Sequence, residues 1–360
     1  MSKLLLVAGA RPNFMKIAPL VRAAPSFDGI DTVLVHTGQH FDRNMSDVFF
    51  EELGIPKPDH HLGAQSGSHA VQTARIMELF EPVLLDEAPD WVVVVGDVNS
   101  TLACALVAKK LQFPVAHVEA GLRSGDMTMP EEVNRRCVDA ISDLLLASEP
   151  SGVENLAKEH VPERSVHLVG NLMVDTLLFQ KKKLEESSNG SPLAQSLGVA
   201  GNDYAVVTLH RPATVDSEDV FTAVLEGLEA VARHVPIVFP AHPRTRQRME
   251  ALNWSAPAGV HIIEPLSYMA FLGLWSKAKL VLTDSGGLQE ETSALGVPCL
   301  TLRDNTERPI TVEMGTNRLV SRTPEAIVHA FEAAMAGEKQ DTKIPLWDGH
   351  AAERVLPLMR

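Results

Sequence analysis

Short runs of apolar residues recur along the whole chain and alternate with longer stretches that have helical periodicity. Runs rich in valine, leucine and isoleucine are typical of strands buried on both faces of a parallel sheet. In the first half, the runs are 4–9, 32–38, 91–96, 115–120, 144–148 and 166–171. In the second half, they are 204–210, 235–242, 260–265, 279–287 and 297–303. This alternation predicts an α/β fold with parallel sheets covered by helices.

A polar, turn-rich segment, 187–192, separates the two series of runs. At 360 residues the chain is too long for one comfortable core. We predict two Rossmann-like, doubly wound domains over 1–172 and 173–345, and a helical tail over 346–360. Ligands of such sheets bind beyond the carboxyl ends of the strands, so we expect the active site in the cleft between the domains.

The composition narrows the class of protein. Hydrophobic residues make up 45% and charged residues 22% of the chain, which is ordinary for a globular protein. A net charge of −14 argues against nonspecific binding to nucleic acid or to an anionic membrane. The chain also has no apolar stretch of about 20 residues, the length that a membrane span needs.

The cysteines and the first residues point to a reducing compartment. Cys104, Cys137 and Cys299 are widely spaced and odd in number, and no CxxC or HExxH motif is present, so neither a zinc site nor a disulfide framework is expected. The apolar run at the start is interrupted by Arg11 and Pro12, unlike a signal peptide. These features predict a cytoplasmic protein.

Carboxylates follow two of the apolar runs of the first domain. Asp97 and Glu119 each lie just beyond a predicted strand, and Glu131 lies at the start of a predicted helix that also carries Arg135. Carboxylates that converge from separate segments favour proton transfer at carbon over simple binding. The alternative is that each acid caps or favours a helix N-terminus.

A strand-to-helix turn in the second domain carries Ser285, Gly286 and Gly287. Free N–H groups at such a helix start, with a serine hydroxyl, suit a diphosphate. Glu291, about one turn into the helix, is placed to accept hydrogen bonds from a ribose diol. The alternative is a capped helix with an exposed acidic face; we favour nucleotide binding.

Three further turns carry basic side chains. The turn after the first strand has Arg11 and Lys16, which could bind an anion, but it matches neither a P-loop nor a GxGxxG motif. An ordinary βα turn is therefore an open alternative.

His210 and Arg211 end the first strand of the second domain, where phosphate binding and simple packing are both open. For Arg308, in the loop after the last strand, closure over a ligand and a surface ion-pair network are both open.

The whole set of motifs resembles the non-hydrolysing bacterial UDP-N-acetylglucosamine 2-epimerases. The resemblance runs in order from about residue 3 to 320. Its motifs here are GARPNFMK, HTGQH, GDVNST, HVEAGLRSGDMTMPEEVNRR, GNLMVDTL, LHRP, TDSGGLQEE and RDNTERP. It implies a GT-B-like fold, a homodimer, and interconversion of UDP-N-acetylglucosamine and UDP-N-acetylmannosamine without NAD or metal, for cell-surface polysaccharide precursors. The family mechanism expels UDP to give a 2-acetamidoglucal and then adds UDP back.

The resemblance also implies residue roles. The predicted catalytic residues are Asp97, Glu119, Glu131, Arg135 and His210, and the predicted UDP-binding residues are Arg11, Lys16, His210, Arg211, Ser285, Gly286, Gly287, Glu291 and Arg308, with no metal ligand. Which carboxylate removes the C2 proton and which returns it is not assigned. Many family members have GTRPE where residues 9–13 of this chain read GARPN. Because the arginine, Arg11, is kept, we expect UDP binding to be kept as well.

The activator site of some bacterial members is only partly matched. Gln39, His40 and His242 match it. Phe41-Asp42 replaces an Arg-Gln pair, and Gly67-Ser68 stands where an arginine is expected. We therefore predict weak or absent activation by UDP-N-acetylglucosamine.

Four alternatives remain open from the sequence. They are a GT-B glycosyltransferase, a hydrolysing epimerase, a catalytically silent nucleotide-sugar sensor, and a 2-epimerase for a modified UDP-HexNAc. The carboxylate cluster disfavours the glycosyltransferase and the silent sensor, whereas no residue decides the decoration of the sugar.

Overall fold

The computed structural model describes residues 1–39, 47–186, 192–201, 203–337 and 342–360. Two compact units divide the chain: Met1–Gln180 together with Pro345–Arg360 form the first, and Lys181–Ile344 form the second. Each unit is built around one parallel sheet. The division falls after Gln180, and the C-terminal segment belongs to the first unit.

The first unit contains a seven-stranded sheet of order β3-β2-β1-β4-β5-β6-β7. Its strands are β1 (Ser2–Ala8), β2 (Ile30–His36), β3 (His60–His61), β4 (Trp91–Val95), β5 (Val115–Val118), β6 (Leu144–Ala147) and β7 (Val166–Leu168). Its helices are α1 (Arg11–Ala23), α2 (Asp47–Leu53), α3 (His69–Glu87), α4 (Asn99–Lys110), α5 (Pro130–Ile141), α6 (Pro150–Lys158) and α7 (Leu172–Glu186), the last of which runs into the second unit.

The second unit contains a six-stranded sheet of order β10-β9-β8-β11-β12-β13. Its helices and strands are α8 (Pro192–Ser196), β8 (Ala205–Thr208), α9 (Pro212–Val215), α10 (Glu218–Ala232), β9 (Ile237–Pro240), α11 (Pro243–Ala251), β10 (Val260–Ile263), α12 (Tyr268–Trp275), β11 (Leu280–Thr283), α13 (Gly286–Leu295), β12 (Cys299–Thr301), α14 (Pro309–Glu313), β13 (Asn317–Leu319) and α15 (Pro324–Ala336). The short helix α16 (Ala351–Val355) returns to the first unit, and the 3-10 turns are Ala24–Ser26, Glu163–Ser165 and Leu356–Met359.

Both sheets have the doubly wound order of Rossmann-like folds, so the predicted fold class is confirmed. In each sheet the order reverses at a central pair of strands, β1 and β4 in the first and β8 and β11 in the second. Ligands of such sheets bind at the carboxyl ends of that pair. Residues Leu4–Leu6 and Val92–Val94 are fully buried, as expected for strands covered on both faces.

Helix packing completes the core of each unit. In the second unit, Phe221 and Leu228 of α10 and Phe331 of α15 join the buried cluster around β8, β9 and β11. Within the residues that the structure describes, no helix is both long enough and apolar enough to cross a membrane.

Candidate functional site

The turns after β4 and β5 bring the predicted carboxylates of the first unit close together. Val95 pairs with Val118 in the sheet, and the Gly96 N–H donates to the Val118 carbonyl at 3.1 Å. A Cβ placed on Gly96 would lie 3.4 Å from a Glu119 carboxylate oxygen. Asp97 follows Gly96 directly, so Asp97 and Glu119 follow neighbouring strands at the same edge of the sheet.

Glu119 is held by a buried ion pair and by its backbone. The Lys16 ammonium group donates to the Glu119 carboxylate, and both side chains are almost fully buried. Glu119 has φ of 67°, in the left-handed region that costs a non-glycine residue about 1–3 kcal/mol. The N–H groups of Glu119 and Ala120 both donate to the Leu146 carbonyl, at 3.0 and 3.2 Å. Backbone strain at this turn is thus held in place by the surrounding structure.

Asp97 is held by a second cation, Arg135. The Arg135 guanidinium donates to Asp97 at 2.5 Å and to Glu132 at 2.6 Å. The Arg135 side chain is nearly buried, whereas that of Asp97 is 32% exposed. Asp97 therefore keeps access to a ligand while its position is fixed.

Glu132, which is not among the predicted site residues, is the organising acid of this segment. Its side chain is fully buried and accepts hydrogen bonds from the Ser124 N–H at 2.9 Å and the Ser124 hydroxyl at 3.0 Å. Burial would raise the pKa of Glu132, but these bonds and the charge of Arg135 hold it below its ordinary value. The i, i+3 spacing from Glu132 to Arg135 was the available sequence signal.

Glu131, the predicted third catalytic acid, is exposed at the start of α5. Its side chain forms no hydrogen bond or ion pair with the described residues. The structure therefore brings together Asp97, Glu119 and Arg135, while Glu131 stays at the surface beside the buried Glu132.

The turn after β1 is closed by a side-chain amide. Asn13 Oδ1 accepts from the N–H groups of Gly9 and Ala10, at 3.1 and 2.9 Å, and Asn13 Nδ2 donates to the Val95 carbonyl at 3.2 Å. Asn13 thus joins this turn to β4. Arg11 opens α1 with its guanidinium 5.3 Å from the centre of the Phe49 ring.

In the second unit, a buried aspartate orients the predicted histidine–arginine pair. The Asp284 carboxylate accepts from the backbone N–H groups of His210 and Arg211, at 3.1 and 2.9 Å, and lies 3.1 Å from His210 Nδ1. Burial would raise the pKa of Asp284, but the hydrogen bond and charge of His210 and the two backbone bonds hold it below its ordinary value. The His210 ring remains 53% exposed. Asp284 was not among the predicted site residues.

The predicted anion site lies at the start of α13. The Ser285 side chain makes no capping hydrogen bond, and the first N–H groups of a helix have no partner within it. An Arg211 guanidinium nitrogen lies 3.7 Å from the position a Cβ on Gly286 would take. Ser285, Gly286 and Arg211 thus converge at the β8 and β11 edge, with Gly287 in the first turn of the helix. This arrangement can hold a phosphate group.

Two acidic residues of α13 are nearly buried and engaged. Glu291 accepts from the Tyr268 hydroxyl at 2.7 Å. Glu290 accepts from Arg308 Nε at 2.8 Å, and both of these side chains are largely buried. Arg308 thus makes an ion pair with α13 rather than standing out from the surface.

Two of the residues that match the activator site are engaged within the protein. Gln39 is buried and accepts from the N–H and the hydroxyl of Ser100, at 2.8 and 2.7 Å. His242 is exposed and accepts from the Arg244 N–H at 3.4 Å. His40 and Phe41-Asp42 lie outside the described residues.

The fold and these two groups of residues define a protein of two doubly wound α/β units. One unit carries carboxylates paired with nearly buried cations, and the other carries a helix start without a side-chain cap, beside Arg211. The model of the UDP-N-acetylglucosamine 2-epimerase family matches residues 23–360. The chain belongs to this family.

Individual relatives match over nearly the whole chain. The chain is 43% identical to a UDP-N-acetylglucosamine 2-epimerase of Methanocaldococcus jannaschii, over 99% of this chain and 98% of that protein. It is 40% identical to a UDP-2,3-diacetamido-2,3-dideoxy-D-glucuronate 2-epimerase of Pseudomonas aeruginosa, over 98% of each. The crystal structure of the M. jannaschii UDP-GlcNAc 2-epimerase in complex with UDP-GlcNAc and UDP matches with a TM-score of 0.90 at 42% identity and covers 99% of both chains.

Proposed function

We propose that this protein is a non-hydrolysing UDP-N-acetylglucosamine 2-epimerase that interconverts UDP-N-acetylglucosamine and UDP-N-acetylmannosamine. The single observation that carries the proposal is the pair of carboxylates, Asp97 and Glu119, on neighbouring turns, each fixed by a nearly buried cation. Inversion at C2 needs an acid and a base, and binding alone needs neither.

The reaction proceeds in two halves. A base removes the C2 proton, the C–H electron pair forms the C1–C2 double bond, and the C1–O bond breaks so that UDP leaves with its electron pair. An acid then protonates C2 on the opposite face, and the UDP oxygen bonds again to C1. We assign these proton transfers to Asp97, Glu119 and Glu131, with no order among them.

The paired cations have a distinct role. Lys16 and Arg135 keep their carboxylates in one orientation, which preserves the geometry of proton transfer. Both cations also contribute positive charge close to the reacting sugar.

UDP retention is assigned mainly to the second unit. The start of α13, with Ser285, Gly286 and Gly287, and the side chains of His210 and Arg211 bind the diphosphate. A helix N-terminus stabilises an anion by about 0.3–2 kcal/mol, and this stabilisation grows as the leaving diphosphate gains charge. Glu291 binds the ribose hydroxyls, and Arg11, Lys16 and Arg308 complete the predicted UDP-binding set.

A product assay tests the proposal. Incubation with UDP-N-acetylglucosamine and no added cofactor should give UDP-N-acetylmannosamine with the nucleotide still attached. Release of UDP with free N-acetylmannosamine would make the protein a hydrolysing epimerase instead.

A second candidate substrate is a UDP-HexNAc that carries a 3-acetamido group and a C6 carboxylate. The 40% identity to the P. aeruginosa 2-epimerase for such a sugar favours it. The ratio of kcat/KM for the two substrates decides between them, and we expect UDP-N-acetylglucosamine to be preferred.

We further propose that the protein acts as a homodimer in the cytoplasm and supplies precursors of cell-surface polysaccharides, as the family resemblance implies. Nucleotide sugars are made from nucleoside triphosphates inside the cell, which supports this location. Light scattering on the protein as it elutes from a size-exclusion column measures the mass of the assembly, which should be that of two chains.

A further inference from the structure

A buried histidine–aspartate pair links the two turns that carry Asp97 and Glu119. His117 in β5 and Asp139 in α5 are 0% and 2% exposed. The His117 Nδ1 atom lies 2.7 Å from Asp139 Oδ1, and Nε2 lies 2.8 Å from the Gly96 carbonyl oxygen. A carbonyl oxygen and an ionised carboxylate only accept hydrogen bonds, so both ring nitrogens of His117 must donate.

Asp139 is ionised and engaged on both oxygens. Burial would raise the pKa of Asp139, but the hydrogen bonds and charges of His117 and Arg123 hold it below its ordinary value. The second oxygen, Oδ2, accepts from the Gly121 N–H at 3.0 Å and lies 2.7 Å from an Arg123 guanidinium nitrogen. Arg123 also donates to Glu159 at 2.6 Å.

Gly121 packs too closely against α6 to carry a side chain. Its φ is 81°, and a Cβ there would lie 2.2 Å from the Gly152 carbonyl oxygen. The turn that contains Glu119 is therefore confined by α6 on one side and bonded to Asp139 on the other.

His117 and Asp139 thus bond to the backbone next to each of the two predicted catalytic carboxylates. Gly96, which accepts from His117, directly precedes Asp97. Gly121, which donates to Asp139, follows Glu119 after a single intervening residue. Any shift of the pair changes the separation of the two turns.

We infer that His117 and Asp139 are positioning residues that set the separation and orientation of the Asp97 and Glu119 carboxylates for proton transfer. The inference rests on the proposed function, because it takes these carboxylates as acid and base. With almost no exposed surface, the pair acts through the two turns and not by touching the substrate.

The test compares Asp139→Asn, His117→Asn and the double variant with the unmodified protein. A small displacement of reacting groups costs on the order of 10- to 100-fold in rate, so kcat should fall by that factor. KM and the Kd for UDP should change by less than about twofold, because neither residue belongs to the predicted UDP-binding set and most of that set lies in the second unit. The double variant should be no slower than the slower single variant, as for two residues that act as one unit.

Asp143→Asn is the matched control. Asp143 binds the other end of β5 through the Val115 N–H at 2.8 Å and pairs with Lys109. It is a carboxylate bonded to the same strand but distant from the turns after β4 and β5, so its loss should leave kcat within about twofold of the unmodified value.

A second readout separates positioning from simple loss of folded protein. In D2O, misplaced carboxylates should raise the ratio of deuterium incorporation into recovered substrate to net epimerisation, because one proton transfer fails more often than the other. A lower fraction of folded enzyme would reduce both rates equally and leave the ratio unchanged, and that result would overturn the inference.

The unmodified protein supplies a test that needs no variant to fold. Nitrogen-15 NMR of labelled histidine should show a buried ring with both nitrogens protonated. The other buried histidine to compare is His36, whose pKa is lowered to about 4, mainly by burial. At pH 7 its ring is therefore neutral, with one nitrogen protonated. A spectrum with no doubly protonated buried ring would contradict the geometry.

The two proposals fail in different ways. If the unmodified protein exchanges no C2 hydrogen in any of the candidate UDP-HexNAc substrates, the proposed function is wrong. If the unmodified protein is active and the variants keep its kcat and exchange ratio, the positioning role is wrong and the proposed function stands.

Discussion

At the scale of single residues, the candidate site is made of charges whose partners are built into the protein. Lys16 faces Glu119, Arg135 faces both Asp97 and Glu132, and Asp284 faces His210. A buried charge without a partner would cost several kcal/mol of stability, and these pairs offset that cost when the protein folds. They also orient the side chains before a substrate arrives.

Asp284→Asn should weaken UDP binding although Asp284 need not touch UDP. The carboxylate fixes the backbone of His210 and Arg211, and an amide has only one oxygen to accept those bonds. Loss of a charge-assisted hydrogen bond of about 1.5 kcal/mol corresponds to about a tenfold rise in Kd. Calorimetric titration with UDP measures it. Asp203→Asn, at an exposed ion pair with Lys279, is the control; equal affinities in the two variants would contradict the assigned role.

At the scale of helices and strands, the chemistry depends on where a strand ends and the next helix begins. The start of α5 shows this, because its first turn carries two adjacent glutamates with opposite environments. Glu132 points into a buried network with Ser124 and Arg135, and Glu131 is exposed.

The two glutamates of α5 should respond differently to substitution. Glu132→Gln leaves Arg135 with the partly exposed Asp97 as its remaining charged partner and weakens the bonds to Ser124, so it should lower the free energy of unfolding by about 2 kcal/mol. Glu131→Gln removes an exposed charge and should change it by less than about 0.5 kcal/mol. Urea unfolding of both variants measures the difference, and similar losses would show that the buried network does not stabilise α5.

The docking of α16 should depend on pH through Asp175. Its carboxylate accepts from the N–H groups of Ala351 and Ala352, at 3.1 and 2.9 Å, and burial raises its pKa from 3.8 to about 6. A folded-state pKa above the unfolded value means that the protonated form favours folding. The stabilisation that Asp175 contributes to the folded state is therefore fully present below about pH 4 and is lost as pH rises through about 6.

Asp175→Asn removes this titration. The free energy of unfolding of the unmodified protein, relative to that of the variant, should fall by at most about 1.4 kcal/mol per pH unit between about pH 4 and 6. Urea unfolding at several pH values measures this, with Asp86→Asn at an exposed helix position as the control. A difference that stays constant across this range would contradict the raised pKa.

The hydrophobic runs of the sequence predicted the long strands, and some shorter features carried no comparable pattern. β3 (His60–His61) and β13 (Asn317–Leu319) are edge strands of two and three residues and have no apolar run to mark them. Asp97, Glu119 and Ser285 were predictable because each follows a strong run. Glu132, Asp139 and Asp284 were not, because their roles depend on contacts that only the folded chain creates.

At the scale of the whole molecule, two similar sheets divide the chemical work. The proposed acid–base groups follow the carboxyl ends of β4 and β5 in the first sheet, and the helix start proposed to bind the diphosphate follows β11, next to β8, in the second. Each set includes a residue that follows a strand of the pair at which the order reverses, β4 in the first sheet and β8 and β11 in the second, as doubly wound topology predicts.

Activation of the enzyme by UDP-N-acetylglucosamine should be weak or absent. Gln39, one of the two matching residues within the described part of the chain, already bonds to Ser100. The reaction from UDP-N-acetylmannosamine alone should therefore start without a lag. A progress curve measured with and without a trace of UDP-N-acetylglucosamine tests this, and a strict requirement for that trace would contradict the prediction.

Proton transfer at C2 is the central claim, and proton NMR of UDP-N-acetylglucosamine with the protein in D2O tests it most directly. We expect deuterium to appear at C2 together with a UDP-N-acetylmannosamine signal. Glu119→Gln should slow this exchange by about 10²- to 10⁴-fold, and Glu154→Gln at an exposed position of α6 should not. If UDP-N-acetylglucosamine binds and keeps its C2 hydrogen, the epimerase account of Asp97 and Glu119 is wrong for this substrate.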